Sequence, residues 1–594
     1  MTTHDEVAPR VVARLGRAAL RRYAIGILAA LVFAFSWLFR FNDPGGSFGG
    51  LTDDHFFYLV RGWQILFGDL PVRDFVDHGA PLYYYVAYAV QAISRGTLSE
   101  LIFSTTVLSV GAALTFWLAT IVSGWMPIGL AAAMFHIWLS PRFYNYPKVL
   151  VYVVAIPLIW RFIDRPDART RVWIAVVTAI AFLFRHDHGV FVAAAMAAAV
   201  VLVRGTDWSA AVRDLARYGL IVLAILTPYL LFIEWNGGLR VYLSQASAWA
   251  ERDRERAPIV WPGLFDNPAG VSDAARTGGL VTRARAVVQD NRTAFLYYLE
   301  LTLPFFALAL LALSPDAFRP SWPRAREKLV LVAVLAAILD AGFLRSPLEA
   351  RLADPSVPIV LIVAWLCVAL PSVAVSVRSL HAPGSFAWWA RLVALPVGAV
   401  MIAVIVITMS GDFYDRLDSA AMTDRFGKAF ERVTSVKRQV RDDWDLFSLD
   451  IRRDRPDLVT LALYVNACTA PTDRVLVQAY MPQVLALARR AFAGGHADLR
   501  PGFFKTDEAQ RLVVERLQRQ SVPILLLETG DSLRGFRESF PLVTEYIDRH
   551  YKVVGSHVFD KRFGVTLLAR QELVPSGTYE PLGWPCYGSG RVGL

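Results

Sequence analysis

The stretch LTDDHFFYLVRGWQILFGDLPVRDFVDHGAPLYYY, Leu51–Tyr85, places Asp53, Asp54, Asp69, Asp74 and Asp77, together with His55 and His78, between the first two apolar segments of the chain. From Phe56 onward, Phe56, Leu59, Val60, Trp63 and Phe67 recur at helical spacing. Such a face predicts an amphipathic helix that can lie in a bilayer surface. Asp53 and Asp54 fall at its N-terminus, where a carboxylate caps free backbone N–H groups. One acid suffices for a cap, and charge held at the mouth of a membrane bundle is costly. The pair is therefore read as carrying at least one catalytic carboxylate.

The surrounding composition is that of a polytopic membrane protein: 594 residues, 55% hydrophobic, with a mean hydropathy of +0.41. Arg10, Arg14, Arg17, Arg21 and Arg22 precede an apolar run, Ala24 to Phe39, that leads into FNDPGG and not into a small-residue cleavage site. It reads as a retained first span. The net charge of +10 is spread as arginines over short loops, which topology explains better than a nucleic-acid partner.

Further apolar segments lie near residues 80–94, 101–122, 126–140, 149–160, 172–184, 190–203, 218–233, 294–313, 329–343, 356–377 and 392–409. Several fall short of the roughly 20 residues a perpendicular span needs. The loops bearing Arg161, Arg165, Arg169 and Arg171, then Arg204, Arg213 and Arg217, then Arg319, Arg324, Arg326 and Lys328 belong on the cytoplasmic side with the N-terminus. One of the four segments between Phe39 and Arg161 then does not cross, giving about eleven spans, with about thirteen as the ceiling. A second solution joins 172–203 into one helix and puts the 161–171 loop outside. Both place Leu51–Tyr85, the loop from Glu234 to Arg292, the loop around Arg345 and everything after Gly411 on the outer face.

The expected fold is thus a polytopic α-helical bundle, 1–410, with a first outer loop at 41–80 and a second large one at 234–292. A helical connector, 411–456, leads to a small extracytoplasmic α/β domain, 457–594. In that domain DRVLVQAY (Asp473–Tyr480) and VPILLLE (Val522–Glu528) read as buried strands, PQVLALARRAF and TDEAQRLVVERLQRQ as helices, and YKVVGSHVF and FGVTLLAR as a closing strand pair. AYMPQ follows the first strand where a phosphate loop would need glycines, which argues against nucleotide binding. Of three cysteines, Cys367 lies in an apolar span, and Cys468 and Cys586 share the outer domain, where an oxidising compartment permits a bridge.

The first outer loop resembles that of GT-C class membrane glycosyltransferases, the polyprenyl-phosphate-sugar-dependent superfamily of protein mannosyltransferases and aminoarabinose transferases. The shared pattern is an acidic pair, an aromatic-rich helix, a Gly ahead of "PYRDF" and a "PPLYY" entry into the next span. Asp54 and His55 stand where many relatives carry Glu and Gly, and Ala80 replaces the first proline. The resemblance implies an inverting transfer of a sugar from a polyprenyl-phosphate donor to a glycan, lipid or protein acceptor, at the outer face of a bacterial cytoplasmic membrane. Asp53 or Asp54 would be the base, with Mg or Mn as an optional auxiliary.

A departing phosphate needs positive charge, for which Arg345, Arg351, Arg185 and Lys148 are the candidates. Arg345 and Arg351 lie in LRSPLEARLADPSVP, an outer loop ahead of a span, and Lys148 at a similar boundary. Arg185 lies in FLFRHDHGV with His186, Asp187 and His188, a group that could also ligate a metal. His55, Arg73, Asp74, Asp77 and His78 complete the set of substrate or metal contacts. Lipid headgroups and aromatic belts are the competing explanations for Lys148 and for Tyr83, Tyr84 and Tyr85. An O-antigen ligase or polymerase, a transporter and a scaffold are the alternative classes.

Overall fold

The computed structural model describes residues 7–42, 51, 53–245, 261–264, 279–313, 322–345, 351–379, 386–420, 422–423, 455–501, 503–560 and 563–588. The side chains of Asp53 and Arg345, the WAERDRERAP run and most of the 411–456 connector lie outside the described residues. The chain opens with α1 (Val7–Asn42), α2 (Asp53–Leu66), α3 (Pro81–Ile93), α4 (Thr97–Ser123) and α5 (Met126–Leu139). A 3-10 turn at Phe143–Asn145 leads into α6 (Tyr146–Asp164), followed by α7 (Ala168–Phe184), α8 (His186–Arg204) and α9 (Trp208–Asn236). After the second loop come α10 (Leu280–Asp290), α11 (Arg292–Leu313), α12 (Ala325–Arg345), α13 (Ser356–Ser379) and α14 (Phe386–Ser419).

Eight helical stretches among the described residues are long and apolar enough to cross a membrane: Ala19–Asn42, Thr97–Ser123, Phe143–Asp164, His186–Arg204, Trp208–Asn236, Arg292–Leu313, Ser356–Val375 and Trp388–Ser419. The chain is a multi-pass helical membrane protein whose apolar helices meet lipid. α3 and α5, at 13 and 14 residues, fall below the roughly 20 residues of a perpendicular span, and α5 is the more apolar of the two. Residues 172–203 do not form one helix. The backbone turns extended at Arg185, φ −171°, and α7 and α8 pack against each other. α14 continues past Gly411 to Ser419, so the last span runs on into the expected connector.

The amphipathic α2 forms as its spacing predicts, but its apolar face does not lie in the bilayer surface. Phe56, Leu59, Val60 and Trp63 are buried within the protein, because α2 packs against α3 on one side and the C-terminal domain on the other. Gly62 is what lets α2 and α3 touch: a Cβ there would sit 2.8 Å from that of Ala87.

The C-terminal domain starts with α15 (Pro456–Cys468) and continues through β1 (Arg474–Val477), α16 (Pro482–Ala488), β2 (Ala491–Phe492), α17 (Asp507–Arg519) and β3 (Ile524–Glu528). It closes with α18 (Asp531–Ser539), α19 (Pro541–His550), β4 (Tyr551–Val558), β5 (Gly564–Arg570), β6 (Gly577–Tyr579) and β7 (Trp584–Cys586). The sheet order is β2-β1-β3-β5-β4, with β1 parallel to β2 and β3 and the last two strands antiparallel. The ARRAF end of the expected helix is strand β2 instead, since the helix stops at Arg489 in the left-handed conformation.

Alternation along the strands gives the sheet two apolar faces. Leu476, Leu525 and Leu527 pack with Val513, Leu517 and Val543 of the outer helices. Val475, Val477, Ile524 and Leu526 belong to a cluster that continues through α2 into the bundle. Bundle and domain therefore share one core. A disulfide joins Cys468 to Cys586 and ties the C-terminal segment to α15.

Candidate functional site

A narrow cleft opens where α2, the 3-10 turn, α6 and the α7–α8 junction meet, lined by Tyr58, Tyr83, Tyr144, Lys148, Phe184, Arg185 and His188. Its aromatic wall follows from helical spacing: Tyr58 on α2 stacks on Tyr83 of α3 at 4.2 Å and lies 6.3 Å from Tyr144. Its charged wall consists of two ion pairs. Lys148 Nζ donates to both Asp354 oxygens at 2.8 Å, and Asn145 donates to the same carboxylate at 3.3 Å. Arg185 pairs with Asp187 at 2.7 Å.

The sharp backbone turn at Arg185 delivers this guanidinium to the cleft. A continuous helix over 172–203 would have aimed it elsewhere. Asp187 takes one nitrogen of a group with five N–H donors, so the fork keeps donors for another oxyanion. His188, behind it, hydrogen-bonds through Nδ1 to the Tyr152 hydroxyl.

Asp54, in the first turn of α2, stands one turn before Tyr58. Burial raises the Tyr58 hydroxyl pKa, with Arg185 pulling it down and Asp54 pushing it up. That tyrosine thus feels both the acid and the cation. Asp54 Oδ1 accepts a hydrogen bond from the Tyr480 hydroxyl, 2.8 Å away. Tyr480 comes from the C-terminal domain, in the AYMPQ segment after β1.

The remaining sequence-predicted residues scatter. His55 turns away into the bundle and meets Glu100 of α4 at 3.3 Å, both side chains buried. Arg73 and Asp74 pair with each other at the surface. Asp77 folds its own loop, accepting from the N–H groups of Gly79 and Ala80, and latches it to the hydroxyls of Tyr229 and Tyr242 at 2.5 and 3.0 Å. His186 packs beneath Gly79, whose φ of +82° and lack of a side chain permit the approach; a Cβ there would sit 2.9 Å from the imidazole. Its Nε2 lies 3.3 Å from the Tyr242 hydroxyl.

His186 and His188 thus serve different neighbours, and among the described residues no group of three or more His, Cys, Asp or Glu is arranged to hold a metal. Arg351 does not line the cleft; its Nη1 reaches back 3.5 Å to the Gly342 carbonyl of α12. The loop it was expected to contribute supplies Asp354 instead.

His78 lies in the seam between the first loop and the C-terminal domain, 5.0 Å from Phe57 and 5.8 Å from Phe504, ring to ring. Burial, with Arg61, His496 and Arg500 nearby, holds its imidazole well below the usual range. His496 is pushed down to about 3 by burial, with Arg516 and Arg61 adding to it. Both are neutral near pH 7 and offer no charge to a phosphate. The seam itself is tightly specified. Gln64 donates to the Phe492 carbonyl and accepts from its N–H, at 3.1 and 3.0 Å. Arg474 Nη2 donates to Asp69 at 3.0 Å, and Val76 N–H to the Gly495 carbonyl at 3.1 Å.

Sequence reasoning missed Asp354, Tyr58, Tyr144 and Tyr480. It also missed two acids inside the bundle, Glu300 of α11 and Asp340 of α12. Both are buried, and neither carboxylate has a hydrogen-bond partner among the described residues. The signal for these two was present, since each interrupts an apolar run, YYLELTLP and LAAILDAG.

No protein-family model matches the chain, and no curated protein matches it.

Proposed function

We propose that the chain is an inverting GT-C-type glycosyltransferase, moving a sugar from a polyprenyl-phosphate donor to an envelope glycan, lipid or protein acceptor at the outer face of a bacterial cytoplasmic membrane. The observation that carries this reading is that Asp54 lies close to Tyr58 and Tyr144, two tyrosines that line a cleft together with Lys148 and Arg185. Inverting transfer needs a base on the acceptor hydroxyl and positive charge on the departing phosphate. Asp54 takes the proton as the hydroxyl oxygen bonds to the anomeric carbon. The bond to the phosphate oxygen breaks on the opposite face, where Lys148 and Arg185 receive the charge. Asp354 and Asp187 fix where those cations point.

The topology belongs to the same proposal. Adding α5, α7 and α12 to the eight longer helices gives the eleven spans expected, with α3 as the segment that does not cross. The N-terminus then lies in the cytoplasm and the C-terminal domain outside, in keeping with its Cys468–Cys586 disulfide.

The test is transfer by purified protein from undecaprenyl phosphate carrying mannose, arabinofuranose, galacturonic acid or aminoarabinose, with total envelope extract as acceptor. Asp54→Asn should lower the rate about 10²- to 10⁴-fold, the usual share of a general base. Undiminished transfer in both Asp54→Asn and Asp53→Asn would remove the assignment. One observation favours a second reading. Glu300 and Asp340, buried and with no hydrogen-bond partner among the described residues, suit a proton- or cation-coupled transporter, which predicts ion uptake into vesicles that Glu300→Gln abolishes and Asp54→Asn spares.

A further inference from the structure

We propose that Tyr480 of the C-terminal domain is the positioning residue for the Asp54 carboxylate, so that this domain is a working part of the site on α2. The inference rests on the reading of Asp54 as the base.

Tyr480 lies in the turn that leaves the carboxyl end of β1, the edge at which open α/β sheets present functional loops. Its hydroxyl donates to Asp54 Oδ1 at 2.8 Å. The ring is held on both sides. Phe57, one turn along α2, lies 6.1 Å away, and the Arg500 guanidinium sits 4.3 Å from the ring centroid. Arg500 is in turn anchored by Asp498.

The turn cannot drift relative to α2. Gln64 and Asp69, near the far end of that helix, are bonded to Phe492 and Arg474 of the same sheet. The seam therefore fixes both ends of the arrangement, with the Tyr480–Asp54 bond at its cleft end. Burial, and then the charge of Asp54, push the Tyr480 pKa up, so the hydroxyl stays protonated and keeps donating across the working pH range.

The hydrogen bond matters to a base because it aims the carboxylate: with Oδ1 held by Tyr480, the orientation of the whole group is set. A carboxylate that only capped α2 would need no partner from a second domain. The other groups facing Asp54 are Tyr58 on its own helix and Tyr144 from the 3-10 turn. Arg61 and Arg185 lie within reach across Tyr58.

The experiment uses the full-length protein in nanodiscs and a double-mutant cycle in the transfer assay. Replacing Tyr480 by Phe removes the donor and keeps the ring, and should lower kcat about tenfold with the donor KM unchanged. In the Asp54→Asn background the same replacement should cost nothing further, because the two residues act as one unit. Arg500→Gln, which leaves Tyr480 in place but frees its ring, should lower kcat by less and covers the case in which Tyr480→Phe fails to fold. Wild-type kcat in both variants, or losses that add in the double variant, overturn the proposal.

Full activity of Asp54→Asn would instead defeat the reading of Asp54 as the base, an outcome distinct from an inactive Asp54→Asn beside an unimpaired Tyr480→Phe, which defeats the positioning role alone.

Discussion

Asp214, at the start of α9, accepts from Arg171 and from Arg204, each at 2.8 Å, and Lys328 pairs with Asp164 at 2.6 Å. These bonds join the α6–α7, α8–α9 and α11–α12 turns at one end of the bundle. At the other end, Lys148–Asp354 and Arg185–Asp187 use the same chemistry at the same distances. What differs is the surroundings. The Arg171–Asp214 pair, 8% and 4% exposed, satisfies charge that folding has buried, whereas Lys148 and Arg185 line a cleft beside Tyr58, Tyr83 and Tyr144. An ion pair becomes a candidate site when its cation can still reach something else.

The sharpest way to break this comparison is to cut ion pairing at each end. Replacing both Arg171 and Arg204 by Ala strands Asp214, whose side chain is 4% exposed, and breaking a buried pair costs about 3–5 kcal/mol. Thermal unfolding of the detergent-purified protein should show a large drop in Tm, and any protein that remains folded should keep its donor KM. Lys148→Ala should do the reverse. Loss of one group that stabilises leaving-group charge is worth about 10²- to 10³-fold in rate, with a smaller change in Tm. Transfer that falls equally in the two variants, at matched amounts of folded protein, would erase the distinction between the ends.

How much of this was legible in the sequence follows from which forces are local. Helix positions, the buried strands of the C-terminal domain and its closing strand pair were readable because periodicity is set by neighbours in the chain. The face of α2 was read correctly as apolar and wrongly as membrane-bound. Nothing in Phe56, Leu59 and Trp63 says whether lipid or a folded domain more than 400 residues later will cover them, although Gln64 and Asp69 beside them carry the bonds that dock it. Lys148 and Arg185 were visible as ionisable groups near a membrane boundary. Arg351 was an equally good candidate by charge, but the backbone of its loop turns it to Gly342 and presents Asp354 instead. Tyr480 was passed over for a related reason: AYMPQ was judged only for what it lacks as a phosphate loop.

The smallest expected effect sharpens the comparison from its solvent side. Arg73 and Asp74 pair at 2.6 Å, closer than either cleft pair, but their side chains are 48% and 30% exposed. Water already solvates both charges, so the pair returns little Coulomb energy against the entropy of holding two side chains, at most about 1 kcal/mol. Arg73→Ala should therefore leave transfer unchanged and move Tm by no more than a few degrees. Its backbone carbonyl, which accepts from Arg516 across the seam, survives the substitution. If Arg73→Ala instead cut transfer by an amount near that of Lys148→Ala, proximity to the cleft would no longer be what separates working cations from structural ones, and the acidic loop itself would have to extend the site.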